Sequence, residues 1–366
     1  MALTPQQSAG KKLGSFELAR EVSASSVGAT FIATRKGSTE SVVLTKVHRH
    51  VAKSAQLCEN LQNEAKKAVA FRHVNVNAVL EAGTIDGEPF VVQSWTEAES
   101  LLSLLRRVGP DGLPVPIALR IALDAASAVS AAYAEQPGFS HGEIGPWCIF
   151  VGNDGLTRVS GFGVDRALAR FGLHFAKNLD RLPYAAPERV KAMSLTLGPP
   201  PAAPESSSDL FSLAVVVWEL CTRNKLFASR MEAAVVQKVL SAAIPDARAQ
   251  REELPEAFSK ALSQALSRDP AARGSLEDFV NALTTASPAS HADVVEFCSR
   301  LVERSQPRPS TAPARAFSSV VPGPASQRPQ PPKTNGVTAA EAKPEAPKPP
   351  IRGRAQTLMG FALAAP

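Results

Sequence analysis

Residues 140–164 read SHGEIGPWCIFVGNDGLTRVSGFGV and carry the most informative motifs of this chain. It begins with a His-Gly-Glu triplet at residues 141–143 and ends with Gly-Phe-Gly at residues 161–163. Gly145 and Cys148 lie between these two motifs. The order and spacing of the short motifs, together with those that flank them, indicate the fold class.

The flanking motifs lie on both sides of this stretch. Those before it are VSASSVGAT at 22–30, VLTK at 43–46, NEA at 63–65, FRHVNV at 71–76 and FVVQSW at 90–95. Those after it are APE at 186–188, SDLFSL at 208–213 and RDPAAR at 268–273. Each motif alone is weak evidence, but the whole series falls in one order over about 270 residues.

In this order and at these distances, the motifs resemble those of a bacterial Ser/Thr protein kinase of the eukaryotic type. The resemblance covers residues 14 to about 286. It implies an α+β, two-lobed protein-kinase-like fold. We expect a small lobe over residues 14–95, made of an antiparallel β-sheet and a helix, and a large, mainly helical lobe over residues 96–286.

The two ends of the chain differ from this domain. Residues 1–13 are predicted to be a flexible N-terminus, and residues 287–304 to form one more amphipathic helix. Residues 305–366 hold 13 of the 30 prolines and carry a net charge of +6, which equals that of the whole chain. Such a composition predicts a disordered, Pro-rich, basic tail. Its charge is spread thinly, so we expect a solvated linker and no nucleic-acid binding.

The cysteines and the apolar runs of the sequence indicate the cellular compartment of the protein. The four cysteines show no metal-ligand spacing, and buried free thiols suit a reducing compartment. The N-terminus has no apolar segment of signal-peptide length, and the longest apolar run, at about 210–221, is too short to span a bilayer. We therefore predict no membrane span and a cytoplasmic location.

The resemblance implies that the catalytic positions are degenerate. Glu143 stands where a kinase has its catalytic Asp, Gly145 replaces a lysine, Cys148 replaces the metal-binding Asn and Gly161 replaces the metal-binding Asp. Mg²⁺ needs hard oxygen ligands, which a glycine and a thiol do not offer. Glu143 is still a carboxylate, but a displacement of about 1 Å can cost on the order of 10²-fold in rate. We expect no intact catalytic residue and no metal site.

Nucleotide binding is a separate question. By the resemblance, Lys46 and Glu64 could form the ion pair that grips nucleotide phosphates, with Gly28 as the remaining glycine of the phosphate loop. The same ion pair could instead only position the helix that carries Glu64. Leu44 and Phe150 stand on the two sides of the adenine position, and we hypothesise that they fill it. If both side chains rotate aside, weak metal-independent ATP binding remains open, but no cofactor is required.

Other residues implied by the resemblance support the structure. His141 and Phe162 are of the types that stack in a hydrophobic spine, and Asp209 is placed to anchor the catalytic loop. Glu188 and Arg273 are expected to form a buried ion pair. The segment between Gly163 and Pro183 contains no Ser, Thr or Tyr, so it offers no acceptor for an activating phosphate.

These features predict a pseudokinase, a non-catalytic binding or allosteric module in signalling, with an active kinase or a signalling complex as its protein partner. The alternative is an atypical but active ATP-dependent Ser/Thr kinase that uses Glu143 as base. A nucleotidyl transferase on the same fold would lack metal ligands as well. In the tail, Leu358, Met359 and Phe361 form a candidate docking motif.

Overall fold

The structure is a computed structural model that describes residues 7–24, 28–136, 138–169, 179–194 and 206–305. Contacts divide the chain into residues 1–308 and residues 309–366. The predicted tail beyond Ser305, with the candidate docking residues Leu358, Met359 and Phe361, lies outside the described residues. All of the architecture below therefore belongs to the first unit.

The small lobe is a six-stranded antiparallel sheet in the order β1-β2-β3-β4-β6-β5. Its strands are β1 (Gln7–Leu13), β2 (Phe16–Ala24), β3 (Gly28–Arg35), β4 (Ser41–Val47), β5 (Val79–Ile85) and β6 (Glu88–Ser94). The prediction of a flexible N-terminus over residues 1–13 is wrong for residues 7–13, which pair with β2. Leu13 explains the difference, because it is buried against the small-lobe sheet.

The sheet has two buried faces, and neighbouring residues on a strand point to opposite ones. On one face, Val47 and Val91 belong to the same buried cluster as Leu57 and Leu61 of helix α2 (Ala55–Ala70). We call this the inner face. The outer face carries a separate cluster, whose buried members are Leu13, Phe16, Leu18, Ala33, Leu44, Phe90 and Val92. Helix α2 begins after Ser54, whose Oγ accepts from Leu57 N–H at 3.3 Å, as an N-cap does.

The large lobe contains a small sheet and most of the helices. The sheet has the order β7-β8-β9, from β7 (Ala98–Ser100), β8 (Ile149–Gly152) and β9 (Thr157–Val159). The helices, with the short α1 (Arg49–Ala52) of the small lobe, are α3 (Leu101–Val108), α4 (Val115–Glu135), α5 (Val164–Ala169), α6 (Pro187–Ser194), α7 (Ser206–Thr222), α8 (Glu232–Ser241), α9 (Ala247–Gln250), α10 (Glu256–Ala265), α11 (Leu276–Thr285) and α12 (His291–Ser305).

Helices α4 and α7 form the centre of this lobe. Every residue of α7 from Ser208 to Thr222 is buried, so the helix is surrounded by protein on all sides. Among the described helices, α4 alone has the length and apolar composition that a membrane-spanning helix needs. However, 72% of its most apolar segment is buried inside the fold. Burial of that kind is typical of a core helix. The cytoplasmic location stays a prediction.

Helix α12 corresponds to the extra helix predicted over residues 287–304. It packs against α4, and its buried Val294 and Leu301 belong to the same apolar core cluster as that helix. His291 Nε2 lies 3.0 Å from Asp124 Oδ2 of α4, and Arg120 Nε donates to Ala289 O at 2.6 Å. Apolar packing and polar contacts therefore both attach this helix to the large lobe.

Candidate functional site

Asp209 of α7 anchors the loop that follows α4. The two carboxylate oxygens of Asp209 accept hydrogen bonds from the backbone N–H groups of His141, at 2.5 Å, and Gly142, at 2.8 Å. Asp209 is 1% exposed, and burial raises the pKa of its carboxyl above the usual range. Gly142 has φ +86°, a conformation that favours glycine. The anchoring geometry expected for Asp209 is present.

An aromatic cluster joins this loop to the small lobe. The His141 and Phe162 rings meet edge to face with centroids 4.9 Å apart, and Phe162 also contacts Phe71 at 5.6 Å. His141 is fully buried, with Nδ1 accepting from Glu143 N–H at 3.2 Å and Nε2 lying 2.8 Å from Ser160 O. Both ring nitrogens are used locally, which suits a structural role for His141.

The side chain of Glu143, which stands at the catalytic-base position, is shielded from solvent. This side chain is 0% exposed, and Oε2 accepts from Arg181 Nη1 at 2.5 Å. The Arg181 guanidinium lies over the ring of Trp147, 4.7 Å from its centroid. Burial raises the pKa of the Glu143 carboxyl to about 8, with Asp165 adding to the rise and Arg181 opposing it. A fully buried carboxylate that is paired with Arg181 has no open path to a substrate hydroxyl.

Trp147 also occupies the space beside Gly145. A Cβ at Gly145 would lie 2.2 Å from the Trp147 ring, so no side chain fits there in this arrangement. The ring meets Tyr184 edge to face at 5.3 Å. Tyr184 Oη in turn donates to Glu219 Oε2 at 2.7 Å and lies 2.6 Å from Lys225 Nζ. The Trp147 ring, held by its edge-to-face contact with Tyr184, therefore fills the space that a lysine side chain at residue 145 would need.

Four residues of this site were missed by the sequence reasoning: Trp147, Asp165, Arg181 and Arg189. Trp147 lies in the stretch 140–164 and Arg181 between Gly163 and Pro183, but nothing in their spacing indicates that Arg181 pairs with Glu143 and lies over the Trp147 ring. Arg189 of α6 donates to Gly142 O, and its charge faces Glu143 and Asp209. It supplies a buried guanidinium next to Gly142, where the family pattern has an arginine, and burial lowers its pKa below the usual range.

The two positions at which a kinase has its metal ligands do not fit Mg²⁺ in this chain. The Cys148 thiol is buried and donates to Gly145 O at 3.1 Å. Gly161 has φ +103°, and a Cβ there would lie 2.0 Å from Asp165 Oδ2. Asp165 thus takes the place that an aspartate side chain at residue 161 would need. Within the described ranges, no group of three or more His, Cys, Asp or Glu could hold a metal ion.

The predicted ion pair between Lys46 and Glu64 is replaced by two others. Lys46 Nζ forms an ion pair with Glu88 of β6, and Glu64 forms one with Lys67, at 3.1 Å. Lys46 lies opposite Phe90 in the β4–β6 register, and Phe90 belongs to the outer face. Directly opposed residues share a face of the sheet. Lys46 therefore points away from α2 and from the cleft, which contradicts the sequence prediction.

Thr45 takes the corresponding place on the inner face. It lies opposite Val91 of the inner face, and its Oγ1 is 3.1 Å from Oγ1 of Thr30. The same face carries Gln93, whose Oε1 accepts from Ser160 Oγ of the large lobe at 3.4 Å. This is therefore the face that lines the cleft. A one-residue change of register has moved the lysine to the other side of the sheet.

The same register places the side chain of Leu44 on the outer face of the sheet. Leu44 is fully buried in the outer-face cluster, opposite Val92, and so does not fill the adenine position as hypothesised. Phe150 is half-buried on β8, and its pocket-filling role stays a prediction. A Cβ at Gly28 would lie 2.4 Å from Lys46 O, so close approach of β4 requires glycine there. Residues 25–27 of the phosphate loop lie outside the described residues.

The ion pair expected between Glu188 and Arg273 is present and bidentate. Arg273 Nη1 donates to Glu188 Oε1 and Nη2 to Oε2, each at 2.7 Å. The Arg273 side chain is 0% exposed and also donates to Ser207 O at 2.8 Å and Ser267 O at 2.7 Å. Burial alone would raise the pKa of Glu188, but the bonds from Arg273 and Ser208 hold it below its usual range.

The buried carboxyl of Glu143 predicts a pH-dependent stability. Because burial raises its pKa in the folded protein, the unfolded chain releases this proton at lower pH than the folded protein does. The contribution of Glu143 to the free energy of unfolding therefore falls from about pH 5 to about pH 8. Thermal unfolding followed by circular dichroism measures this effect. The difference in Tm between the wild type and Glu143→Gln, taken as wild type minus variant, should fall as the pH rises across this range. Exposed Glu296→Gln should show no such trend, and a difference that rises with pH would contradict the assignment.

Comparison with known proteins agrees with this architecture. Residues 16–283 match the family model described as protein tyrosine and serine/threonine kinase. The chain is 25% identical over 289 residues to the tyrosine-protein kinase MasK of Myxococcus xanthus, covering 74% of this chain and 43% of that protein. It is 25% identical over 266 residues to the serine/threonine-protein kinase PknH of Mycobacterium tuberculosis, covering 71% of this chain and 40% of that protein.

A solved structure gives the same fold. The kinase domain of PknI from Mycobacterium tuberculosis superposes with a TM-score of 0.59 at 20% identity, covering 78% of this chain and all of that domain. The chain spans about two fifths of the length of the curated relatives MasK and PknH. The antiparallel sheet lobe and the helical lobe predicted from the sequence are confirmed. The chain therefore belongs to the protein tyrosine and serine/threonine kinase family, with a kinase domain of the bacterial Ser/Thr type.

Proposed function

We propose that this chain is a pseudokinase that acts as a non-catalytic binding or allosteric module in Ser/Thr-kinase signalling. The observation that carries the proposal is the complete burial of the Glu143 side chain, whose carboxylate is paired with Arg181. Phosphoryl transfer depends on an accessible base and on metal ions that neutralise charge. The fully buried Glu143 carboxylate, together with Gly161 and Cys148, supplies neither.

The inner face of β4 supports the same proposal. In kinases the lysine of this strand contacts the nucleotide phosphates, and here Thr45 stands in the cleft instead. A threonine hydroxyl adds no positive charge. Any ATP binding would therefore be weak and independent of metal. The protein partner, an active kinase or a signalling complex, remains a proposal that follows from loss of catalysis with retention of the fold.

One observation favours the alternative, an active kinase with Glu143 as base. Its raised pKa lies near the range that suits a general base at neutral pH. That role requires Arg181 to leave Glu143, and it still lacks metal ligands at residues 148 and 161. We therefore place it second.

The test is a thermal-shift titration of the full chain with ATP, with and without Mg²⁺. A ligand at about 100 times its Kd stabilises a protein by about 2.7 kcal/mol, which is easily resolved. We expect no Mg²⁺-dependent rise in Tm. The Lys46→Ala variant should respond to ATP as wild type does, since Lys46 lies on the outer face. A Mg²⁺-dependent rise that Lys46→Ala abolishes would overturn both the proposal and the register assigned to β4.

A further inference from the structure

The lysine displaced from the cleft belongs to a basic hollow on the outer side of the small lobe. The hollow is open and has a volume of about 610 Å³. It is lined by His48, Arg49, His50, Lys53 and Glu88. Lys46 joins these residues through its ion pair with Glu88. We call this set of six residues the basic hollow.

The hollow already holds one anion, the carboxylate of Glu88. Lys46 forms an ion pair with Glu88 Oε2, and Arg49 Nε lies 3.4 Å from Oε1. The bond from Lys46 lowers the pKa of Glu88 below its usual range. Two cations from one stretch of chain thus converge on a single acidic group. Three Lys or Arg against one Glu leave a local excess of two positive charges.

The remaining donors are accessible. The Arg49 side chain is 74% exposed, and His50 and Lys53 are exposed as well. The rings of His48 and His50 stack with centroids 5.6 Å apart, so their imidazoles lie side by side at the hollow. Guanidinium, ammonium and imidazole N–H groups are the donors that bind phosphate oxygens, and a guanidinium can bind two oxygens at once.

The charge distribution favours a single phosphate over an extended polyanion. Residues 305–366 carry eight Lys or Arg and two Asp or Glu, so residues 1–304 carry 32 of each and are neutral overall. Nucleic-acid binding uses an extended basic face that neutralises many phosphates. A local excess of two charges on a neutral domain fits a compact dianion such as a phosphate monoester.

We propose that the basic hollow binds a phosphoserine or phosphothreonine on a segment of a partner protein. Arg49 and Lys53 are the principal ligands of the phosphate, and His50 contributes a further donor. The proposal goes beyond the pseudokinase function and does not depend on it, because the hollow lies on the outer face of the sheet while the cleft lies on the inner face. Binding here and loss of catalysis in the cleft are therefore measured separately.

The experiment uses the full chain and fluorescence polarisation of a labelled peptide, Gly-Ala-Ala-pSer-Ala-Ala-Gly, with its unphosphorylated counterpart. We expect saturable binding of the phosphorylated peptide alone. Arg49→Glu and Lys53→Glu should each weaken it by about tenfold or more, which corresponds to about 1.4 kcal/mol. The matched control is Lys36→Glu, the same charge change at an exposed position in the β3–β4 turn, and it should bind as wild type does. Equal binding of both peptides, or equal binding by Arg49→Glu and Lys36→Glu, would overturn the proposal.

Competition distinguishes the sources of the anion. Inorganic phosphate should displace the peptide only at concentrations well above the peptide Kd. If inorganic phosphate binds as tightly as the peptide, the hollow is an anion site without a protein partner. If a 20-nucleotide single-stranded DNA displaces the peptide at far lower concentration, with steep loss in salt, the ligand is a nucleic acid. Either result would overturn the proposal as stated. Melting temperatures of the charge-reversal variants, all at exposed side chains, check that the fold is retained.

Discussion

Replacing Arg273 with alanine is expected to destabilise the folded domain by roughly 3–5 kcal/mol, the cost of removing one partner from a buried ion pair. The side chain is completely buried and binds both oxygens of Glu188. It also donates to the backbone carbonyls of Ser207 and Ser267. Its loss leaves the half-buried Glu188 carboxylate and these carbonyls without their donor, and removes a guanidinium that lies over the Phe211 ring at 5.0 Å.

Urea unfolding measures this effect, and the chain provides a matched control. Arg300 and Glu296 form a surface ion pair on α12 with side chains 69% and 59% exposed. Arg300→Ala should cost at most about 0.5 kcal/mol. Because the pKa of Glu188 is lowered in the folded protein, wild type should lose the benefit of the pair as pH falls below about 4.5, whereas Arg273→Ala has none to lose. Equal costs for Arg273→Ala and Arg300→Ala would show that the buried pair adds no more to the stability of the fold than the surface pair does.

The sequence predicts the backbone of this fold better than it predicts which way the side chains of one strand point. The ion pair of Glu188 with Arg273 and the anchoring of residues 141–142 by Asp209 join segments far apart in the chain, and the resemblance to the kinase motifs implies both. The motif around Lys46 also identifies β4. It does not fix the register, because Thr45 and Lys46 are neighbours and the strand alternates with period two. If the strand pairing shifts by one residue, the motif is still recognisable, but each side chain of the strand moves to the opposite face of the sheet.

The covering of Glu143 could not have been predicted for a different reason. Arg181 is distant in sequence from both Glu143 and Trp147, and its contacts with them depend on how separate segments pack together. The same holds for Asp165, whose position beside Gly161 follows from the start of α5. Replacement of a catalytic residue can be read from sequence. Which neighbour then occupies the vacated space depends on packing.

Restoring an aspartate at residue 161 is expected to destabilise the protein without restoring metal binding. Gly161 has φ +103°, a region that costs a residue with a side chain on the order of 1–3 kcal/mol. The new Cβ would also lie 2.0 Å from Asp165 Oδ2, and overpacking of this kind typically costs about 1–3 kcal/mol. The added carboxylate further faces that of Asp165 at close range. We therefore expect Gly161→Asp to lower the free energy of unfolding by roughly 2–5 kcal/mol, measured in urea, with no Mg²⁺-dependent response to ATP.

The separate contributions can be resolved with two further variants. Gly37→Asp places the same side chain at φ +84° with nothing within 4 Å of its Cβ, so it should show only the backbone cost. Gly161→Asp combined with Asp165→Ala should recover the part due to crowding and like charge, because it removes the carboxylate that fills the space. If Gly161→Asp alone is as stable as Gly37→Asp and gains Mg²⁺-dependent ATP binding, Asp165 moves aside freely. Packing around Gly161 would then not exclude a metal ligand at that position.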